Sequence, residues 1–330
     1  MILITGGAGY IGSHTALNFI NSEHEIVIFD NLENGHIETI ETLKKFGKIN
    51  FFKGDLRNID DLDNVFKTYK IDTVIHFAGL IQVEESVKDP EKYYETNVNG
   101  SINLFNTMEK HNVKKIVFSS SAAVYGEPKY TPIDENHPKN PLNPYGETKS
   151  KVEDILVEYD KKCGLKSVCL RYFNVIGANS DIIIGEWHEP ETHLVPNILK
   201  SIFEKNKIFK IFGTDYDTKD GTCIRDYVNV EDLAQAHKLA YIYLKNQNTS
   251  NIFNIGTQEG SSVKEIFSTT EKVTQCKIPV ELADRRDGDP AKLIANSNKA
   301  KEILNWNPRR TLEDSIRTAY LWEKTKTKHQ

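Results

Sequence analysis

The chain reads as an α/β protein, with a doubly wound parallel sheet over roughly residues 1–175 and a smaller mixed α/β region over 176–330. Three observations carry this reading. Short continuous runs of apolar, β-favouring residues recur from the first residue onward, and segments of helical periodicity separate them. Past about residue 176 that alternation gives way to sparser strands and longer loops. Unbroken apolar runs are what strands covered on both faces require, because neither side of the pleat then meets water.

The elements follow in order. Met1-Ile2-Leu3-Ile4 is the first strand, and glycines and a helical stretch around Thr15 to Ile20 come after it. Glu25 to Phe29, Asp72 to Phe77 and Lys115 to Phe118 are further strands, and one long helical pattern occupies Pro90 to His111. In the second region Ala178 to Glu191 and Gly213 to Gly221 read as loops, and Val228 to Leu244 as a helix. Asn251 to Ile255 is a strand able to return to the first sheet, so the two regions need not be cleanly separate. The polar end, Lys324 to Gln330, is expected to fray.

Composition narrows the function. Of 330 residues, 38% are hydrophobic and 27% charged, the balance of a globular protein with a proper core. With 47 acidic against 42 basic residues the net charge is -5, which argues against a nucleic-acid binder. No apolar run approaches the ~18 residues of a membrane span, and the first strand begins at Met1, where a secretory signal would need room. A cytoplasmic location is expected. The four cysteines, Cys163, Cys169, Cys223 and Cys276, lack any C-x-x-C spacing, so reduced thiols are expected. The ten histidines show no H-E-x-x-H or comparable cluster, and no metal is expected.

Two motifs carry chemistry. Thr5-Gly6-Gly7-Ala8-Gly9-Tyr10-Ile11-Gly12 lies between a strand and a helix. There glycines permit a tight turn and let a pyrophosphate approach the backbone, and the helix N-terminus offers free N–H groups. Asp30 closes the second strand. A carboxylate there can accept both hydroxyls of an adenosine ribose and repels a 2′-phosphate, so the pattern predicts NAD in preference to NADP. The second motif is Tyr145-Gly146-Glu147-Thr148-Lys149, whose spacing of four puts the tyrosine and lysine on one helical face. An ammonium near a phenol favours the phenolate, which predicts a lowered Tyr145 pKa and a base usable near neutrality. Ser119-Ser120-Ser121 ends a strand where the ligand crevice of such a sheet opens.

These motifs, together with His76-Phe77-Ala78-Gly79, Ser119 to Gly126, Arg171 to Asn174, Gly221 to Tyr227, Arg285 to Asp289 and Leu304 to Pro308, resemble the extended short-chain dehydrogenase/reductase family over nearly the whole chain. The closest resemblance is to its branch that epimerises UDP-hexoses at C4. The resemblance implies a Rossmann-type NAD domain over 1–175 and a region over 176–330 that mainly binds the UDP-sugar. It implies Tyr145 as proton acceptor and donor, Lys149 on the nicotinamide ribose, and Ser121 on the reacting hydroxyl. Gly6, Gly9, Tyr10, Ile11, Gly12, Asp30, Asn31, Asp55, Leu56, Phe77, Ala78, Gly79 and Phe173 would surround the cofactor. Asn174, His193, Arg225 and Arg286 would hold the diphosphate, Asp289 the ribose, and Leu194, Ile211 and Phe212 would line the uridine end.

The implied activity is interconversion of UDP-glucose and UDP-galactose, by oxidation at C4, rotation of the keto sugar and reduction on its other face. A homodimer is implied as well, formed through the helices flanking the Tyr-x-x-x-Lys segment, although Val152, Ile155 and Leu156 suit a core equally. Ile81 stands where some relatives carry a phosphate-binding lysine. Leu293 stands where a tyrosine restricts some relatives to unmodified hexoses, so a 2-acetamido sugar has room. The competing readings are a 4,6-dehydratase, a UDP-uronate 4-epimerase and a non-catalytic nucleotide sensor. Ala122-Ala123 occupies the place of the dehydratases' acidic pair, and both Tyr145 and Lys149 stand where non-catalytic relatives lose one of them.

Overall fold

A computed structural model describes residues 1–204, 206–285 and 289–326. Seven strands form one parallel sheet: β1 (Ile2–Thr5), β2 (Ile26–Asp30), β3 (Ile49–Lys53), β4 (Thr73–His76), β5 (Lys115–Ser121), β6 (Lys166–Tyr172) and β10 (Asn251–Ile255). Their order is β10-β6-β5-β4-β1-β2-β3. The chain leaves β1 in one direction for β2 and β3 and in the other for β4, β5 and β6, so a crevice opens at the carboxyl ends of β1 and β4.

Alternation along each strand feeds two cores. Ile2, Ile4, Ile26 and Ile28 face a cluster completed by Phe19, Leu233 and Trp306, and Leu3, Val27 and Val74 face one with Leu62, Phe105 and Leu156. The first cluster draws on α1 (Tyr10–Ile20) and α9 (Val230–Gln247), and the second on α3 (Ile59–Thr68), α6 (Gly100–Lys110) and α7 (Pro144–Cys163). Val152, Ile155 and Leu156 of α7 are buried core residues.

Some local features depart from the sequence reading. Neither β3 nor β6 was singled out: β3 is an edge strand, half-buried up to the exposed Lys53, and the Ile-Asn-Phe-Phe-Lys and Lys-Ser-Val-Cys-Leu-Arg-Tyr strings both lack the continuous apolar character of β1 and β2. The stretch from Pro90 is not one regular helix either. It runs as α5 (Pro90–Tyr93), a π-helical turn over Tyr94–Asn99, and then α6. Within that turn Asn97 is buried.

The remaining strands form small sheets. In one, β9 (Ile224–Asn229) pairs with β7 (Asn174–Ile176), β11 (Gly260–Ser262) and β13 (Lys292–Leu293); in the other, β8 (Phe209–Phe212) pairs with β12 (Val280–Ala283). The helices α8 (Leu194–Phe203), α10 (Val263–Thr274) and α12 (Leu312–Lys326) pack on them around Ile198, Ile211, Ile266 and Ile316. The Leu304 to Pro308 motif is an anchor: the Trp306 indole N–H donates to the Asp232 carbonyl at 2.8 Å, and the Asp232 carboxylate receives the Arg309 and Arg310 amides. Residues 324–326, expected to fray, continue α12, and Lys326 Nζ donates to the Glu186 carbonyl at 3.2 Å. Among the described residues no helix is long and apolar enough to cross a membrane.

Candidate active site

The crevice begins at the glycine turn. Gly6 has φ +71°, and a Cβ there would lie 2.6 Å from the Ala78 amide nitrogen, so the end of β1 can close on the segment after β4 only with glycine. A Cβ on Gly12 would lie 2.2 Å from the Gly6 carbonyl oxygen. Gly9 is the N-cap of α1 and no side chain caps it, so the first-turn amides of Tyr10, Ile11 and Gly12 stay open to an anion. The residues present therefore fit a dinucleotide pyrophosphate.

Asp30 ends β2 beside this turn. Its Oδ2 accepts from the Ala8 amide at 3.0 Å and its Oδ1 from the Leu32 amide at 2.9 Å. Burial raises its pKa, and those two amides work the other way. The same carboxylate thus locks the glycine turn to the loop after β2. Asn31 donates to Asp55 Oδ2 at 2.8 Å, and the Arg57 guanidinium pulls the Asp55 carboxyl down to about 2. Leu56 is buried, with its carbonyl held by Asn103. Phe77 and Ala78 both donate their amides to the Thr5 carbonyl, and a Cβ on Gly79 would stand 2.9 Å from Asn97 Oδ1.

Asn97 was missed by the sequence reading. Its side chain accepts from the Leu80 amide at 2.7 Å and donates to the Leu80 carbonyl and to the Thr148 hydroxyl, tying the crevice wall to α7. The sequence carried no advance signal for it, because a 3.6-residue period read across Pro90 to His111 conceals the π-helical turn.

On α7, Asn143 caps the first turn through the Gly146 amide, and Pro144 begins the helix. This places Tyr145 and Lys149 on the buried face, near the end of β5. Lys149 Nζ donates to the Ser119 carbonyl at 2.9 Å and lies 5.9 Å from the Tyr145 ring centre. Burial pulls the Lys149 pKa down to about 8, against the pull of Glu153. The lowered phenol pKa expected of the pair is not found in the protein alone. Burial raises the Tyr145 pKa, with a hydrogen bond from Ser121 opposing, because desolvation outweighs an ammonium committed elsewhere. Ser121 Oγ also accepts from the Ala123 amide at 3.1 Å.

A second tyrosine, not foreseen, lines this place: Tyr172 shares a 2.8 Å hydrogen bond with Ser119 Oγ, and burial raises its pKa. Behind the serines lies a buried ion pair. Arg171 Nε and Nη2 meet the two Glu153 oxygens at 2.8 and 2.6 Å, and Ser120 Oγ donates to Glu153 at 2.6 Å.

Across the crevice, Arg225 of β9 is buried. Its Nη1 donates to the Pro290 carbonyl at 2.7 Å and its Nη2 to Asp289 Oδ1 at 3.1 Å. Leu293 lies opposite Arg225 in the β13–β9 register and packs on a cluster of Phe173, Ala122 and Tyr125. Arg225, Asp289, Leu293 and Phe173 are thus brought together. Asn174 begins β7, exposed, in register with Tyr227 of β9. Ile211 and Phe212 lie on β8, paired with Leu282 and Ala283 of β12. Arg286 lies outside the described residues. Next to it, Arg285 stacks on Tyr216 at 4.1 Å.

His193 is the N-cap of α8, just before Leu194. Its Nδ1 is hydrogen-bonded to the Glu186 carboxylate. Glu186, His188, Glu191 and His193 each bring a possible ligand atom together here, a grouping that the search for H-E-x-x-H and comparable motifs did not single out. The signal was present as the close spacing of Glu186-Trp187-His188-Glu189-Pro190-Glu191-Thr192-His193.

Comparison with known proteins agrees with this geometry. The family described as GDP-mannose 4,6 dehydratase matches residues 3–319. A UDP-glucose 4-epimerase of Lactobacillus helveticus is 48% identical over 328 residues, covering 99% of this chain and 98% of its own. The crystal structure of UDP-glucose-4-epimerase from Stenotrophomonas maltophila, with bound NAD and formylated UDP-arabinopyranose, superposes with a TM-score of 0.97 at 36% identity, covering 100% of this chain and 99% of that one. The UDP-Glc/GlcNAc 4-epimerase of Campylobacter jejuni gives 0.86 at 42% identity, over 98% and 99%. The chain belongs to the UDP-glucose 4-epimerase family, within the extended short-chain dehydrogenases/reductases.

Proposed function

We propose that this site interconverts UDP-glucose and UDP-galactose with an NAD that stays bound through the cycle. The observation that carries it is the buried Tyr145 and Lys149 on one face of α7, with Ser121 beside them and the glycine turn and Asp30 across the crevice. A bound NAD would be held by the glycine turn, Asp30 and Lys149 and would supply the hydride acceptor and donor for C4. Tyr145 takes the proton of the 4-hydroxyl as that carbon is oxidised, leaving a 4-keto sugar, and gives the proton back when the carbonyl is reduced. Ser121 holds the same oxygen. Lys149, fixed on the Ser119 carbonyl, keeps an ammonium at the ribose side. Arg225 and Asp289 hold the nucleotide end while the small and apolar Ala122, Phe173 and Leu293 let the keto sugar turn.

Elimination of water would need an acid beside the reacting hydroxyl. Ala122 and Ala123 follow Ser121 there, which favours epimerisation over dehydration. Leu293, half-buried at the sugar wall, supports acceptance of 2-acetamido sugars too, as the name of the Campylobacter jejuni relative suggests. A homodimer is part of this reading: Val87 of α4 (Val83–Lys88), Tyr94 and Val157 of α7 are apolar and exposed around the catalytic helix. So is a cytoplasmic location, in keeping with the buried thiol of Cys169, which forms no disulfide.

The test is to incubate the purified protein, without added cofactor, with UDP-galactose and separately with UDP-N-acetylgalactosamine, and to follow the sugar nucleotides by NMR. Formation of UDP-glucose is expected. No conversion of either substrate, even with NAD added, would overturn the proposal.

A further inference from the structure

The segment between β7 and α8 crosses the crevice beside the glycine turn without regular structure, yet it is held at several points. The Tyr10 hydroxyl donates to the Gly177 carbonyl at 2.5 Å, the Tyr10 ring meets His188 edge-on at 6.2 Å, and Trp187 stacks on His36 at 3.9 Å. Inside this segment one nitrogen or oxygen from each of Glu186, His188, Glu191 and His193 comes within 4.8 Å of all the others. The His188 and His193 Nδ1 atoms lie near the same oxygen, Glu186 Oε1, with His188 at 3.2 Å and His193 hydrogen-bonded to it. His188 Nδ1 also lies 3.9 Å from Glu191 Oε1.

Three features of this cluster bear on what it can hold. Glu186 and Glu191 side chains are 6% and 1% exposed, so two carboxylates are buried together. Among the described residues, the ion-pair partners of both are imidazoles; Lys326 reaches the main-chain oxygen of Glu186 and not its carboxylate. Glu191 Oε2 is buried and has no hydrogen-bond partner, although Oε1 accepts from the Thr192 and His193 amides. A buried carboxylate oxygen left without a donor costs stability unless something cationic meets it.

We propose that Glu186, His188, Glu191 and His193 bind one divalent ion of the zinc type. Two imidazole nitrogens and two carboxylate oxygens are a borderline donor set that suits Zn²⁺, whereas Ca²⁺ and Mg²⁺ call for oxygens throughout. Zinc bonds of about 2.0–2.1 Å place the corners of a tetrahedron roughly 3.3 Å apart; the 3.2 and 3.9 Å separations lie near that value, and the shorter hydrogen-bonded contact of His193 with Glu186 opens to it when an ion replaces the shared proton. Two carboxylates and two neutral imidazoles make the site electrically neutral with a dication. Four protein ligands close the coordination sphere, so the ion is structural. It pins the β7–α8 segment beside the glycine turn and leaves Tyr145, Lys149 and Ser121 to carry the chemistry.

The experiment uses the untagged full-length protein. Metal content is measured after exhaustive dialysis, then the protein is stripped with a chelator and titrated with Zn²⁺ and with Co²⁺. The expected results are near one ion per chain, the visible absorption of tetrahedral Co²⁺ without a sulfur charge-transfer band, and a melting temperature that rises on Zn²⁺ addition. Glu191→Gln, and separately His188→Ala with His193→Ala, should lose most of that response while keeping the circular dichroism of the parent. Absence of Zn²⁺ and Co²⁺ binding by the stripped protein would overturn the proposal. So would a sulfur charge-transfer band, which would locate the ion at a cysteine, or unchanged binding in both variants.

Discussion

Lys149 Nζ donates to the main-chain carbonyl of Ser119 at 2.9 Å, and the Tyr145 ring centre lies 5.9 Å from it. The lysine is thus held by the strand and not by the phenol it serves. The hydrogen bond sets the height of the ammonium in the crevice, so Tyr145 and any ribose hydroxyl meet a cation whose position does not depend on either of them.

That placement carries a cost that a substitution should reveal. Burial lowers the Lys149 pKa from 10.5 to about 8, an offset equivalent to about 3 kcal/mol. Lys149→Met removes that penalty and leaves the Ser119 carbonyl unpaired, which takes back about 1–3 kcal/mol. The variant is expected to be inactive yet melt no lower than the parent. Because the folded pKa is depressed, the unfolded chain binds more protons between pH 8 and 10.5, and the parent gains stability across that window. The advantage of the methionine variant should therefore be largest below pH 8 and shrink as pH rises, as chemical denaturation at several pH values would show.

Tyr145→Phe keeps the ring and removes the proton carrier. A loss of about 10²–10⁴-fold in kcat is expected, with the fold and the content of bound NAD unchanged. Steady-state kinetics and the absorbance of the denatured protein's released cofactor check both halves.

Acid should weaken the protein through histidines kept neutral by burial. Burial pulls His76 down to about 3, with the Lys149 charge adding to it, and pulls His237 down to about 4. Since these folded pKa values lie below the unfolded one, the unfolded chain takes up the extra protons as pH falls from about 6.5 toward 4, and stability is lost there at up to ~1.4 kcal/mol per pH unit for each group. His237 Nε2 has no partner and its ring packs on Phe77 at 4.6 Å. His237→Phe should therefore be tolerated and flatten that acid slope, measured by urea unfolding at pH 7 and pH 5.

The Arg171–Glu153 pair predicts an asymmetry between single and double substitution. Arg171→Leu leaves a carboxylate that is 2% exposed with only Lys139 at 3.6 Å and the Ser120 hydroxyl as partners, and should destabilise by up to about 3–5 kcal/mol. Combining it with Glu153→Leu should recover much of that loss, since desolvation of the charge then disappears. A double-mutant cycle by urea unfolding reads the difference directly.

Leu293→Tyr tests the sugar wall. Turnover of 2-acetamido substrates is expected to fall by about tenfold or more relative to UDP-galactose. Equal losses for both substrates would show that Leu293 does not select between them.

Much of this was legible in the residues. β1, β2, β4 and β5 announce themselves because both faces of each are covered, which demands unbroken apolar runs. The glycine turn, Asp30 and the Tyr145–Lys149 spacing are local in sequence, so their joint meaning survives without coordinates. What escaped is what arises by assembly. β3 is an edge strand of mixed character, and Asn97 is buried within a π-helical turn that breaks the helical period. Tyr172 reaches the serines only because β5 and β6 are neighbours. The Tyr145 phenol moved opposite to expectation because spacing reports the neighbouring charge and says nothing of the water removed.

The return of β10 to the edge of the main sheet bears on how the protein is made. In β10, Phe253 sits opposite Leu170 of β6, more than eighty positions earlier in the chain. While the ribosome is still producing the intervening segment, β6 remains an uncapped edge whose main-chain groups invite pairing with another nascent chain. Completion of the nucleotide-binding sheet must wait for Ile255 to emerge. A fragment cut after β7 should therefore express as aggregate, however self-sufficient its first 176 residues look on paper.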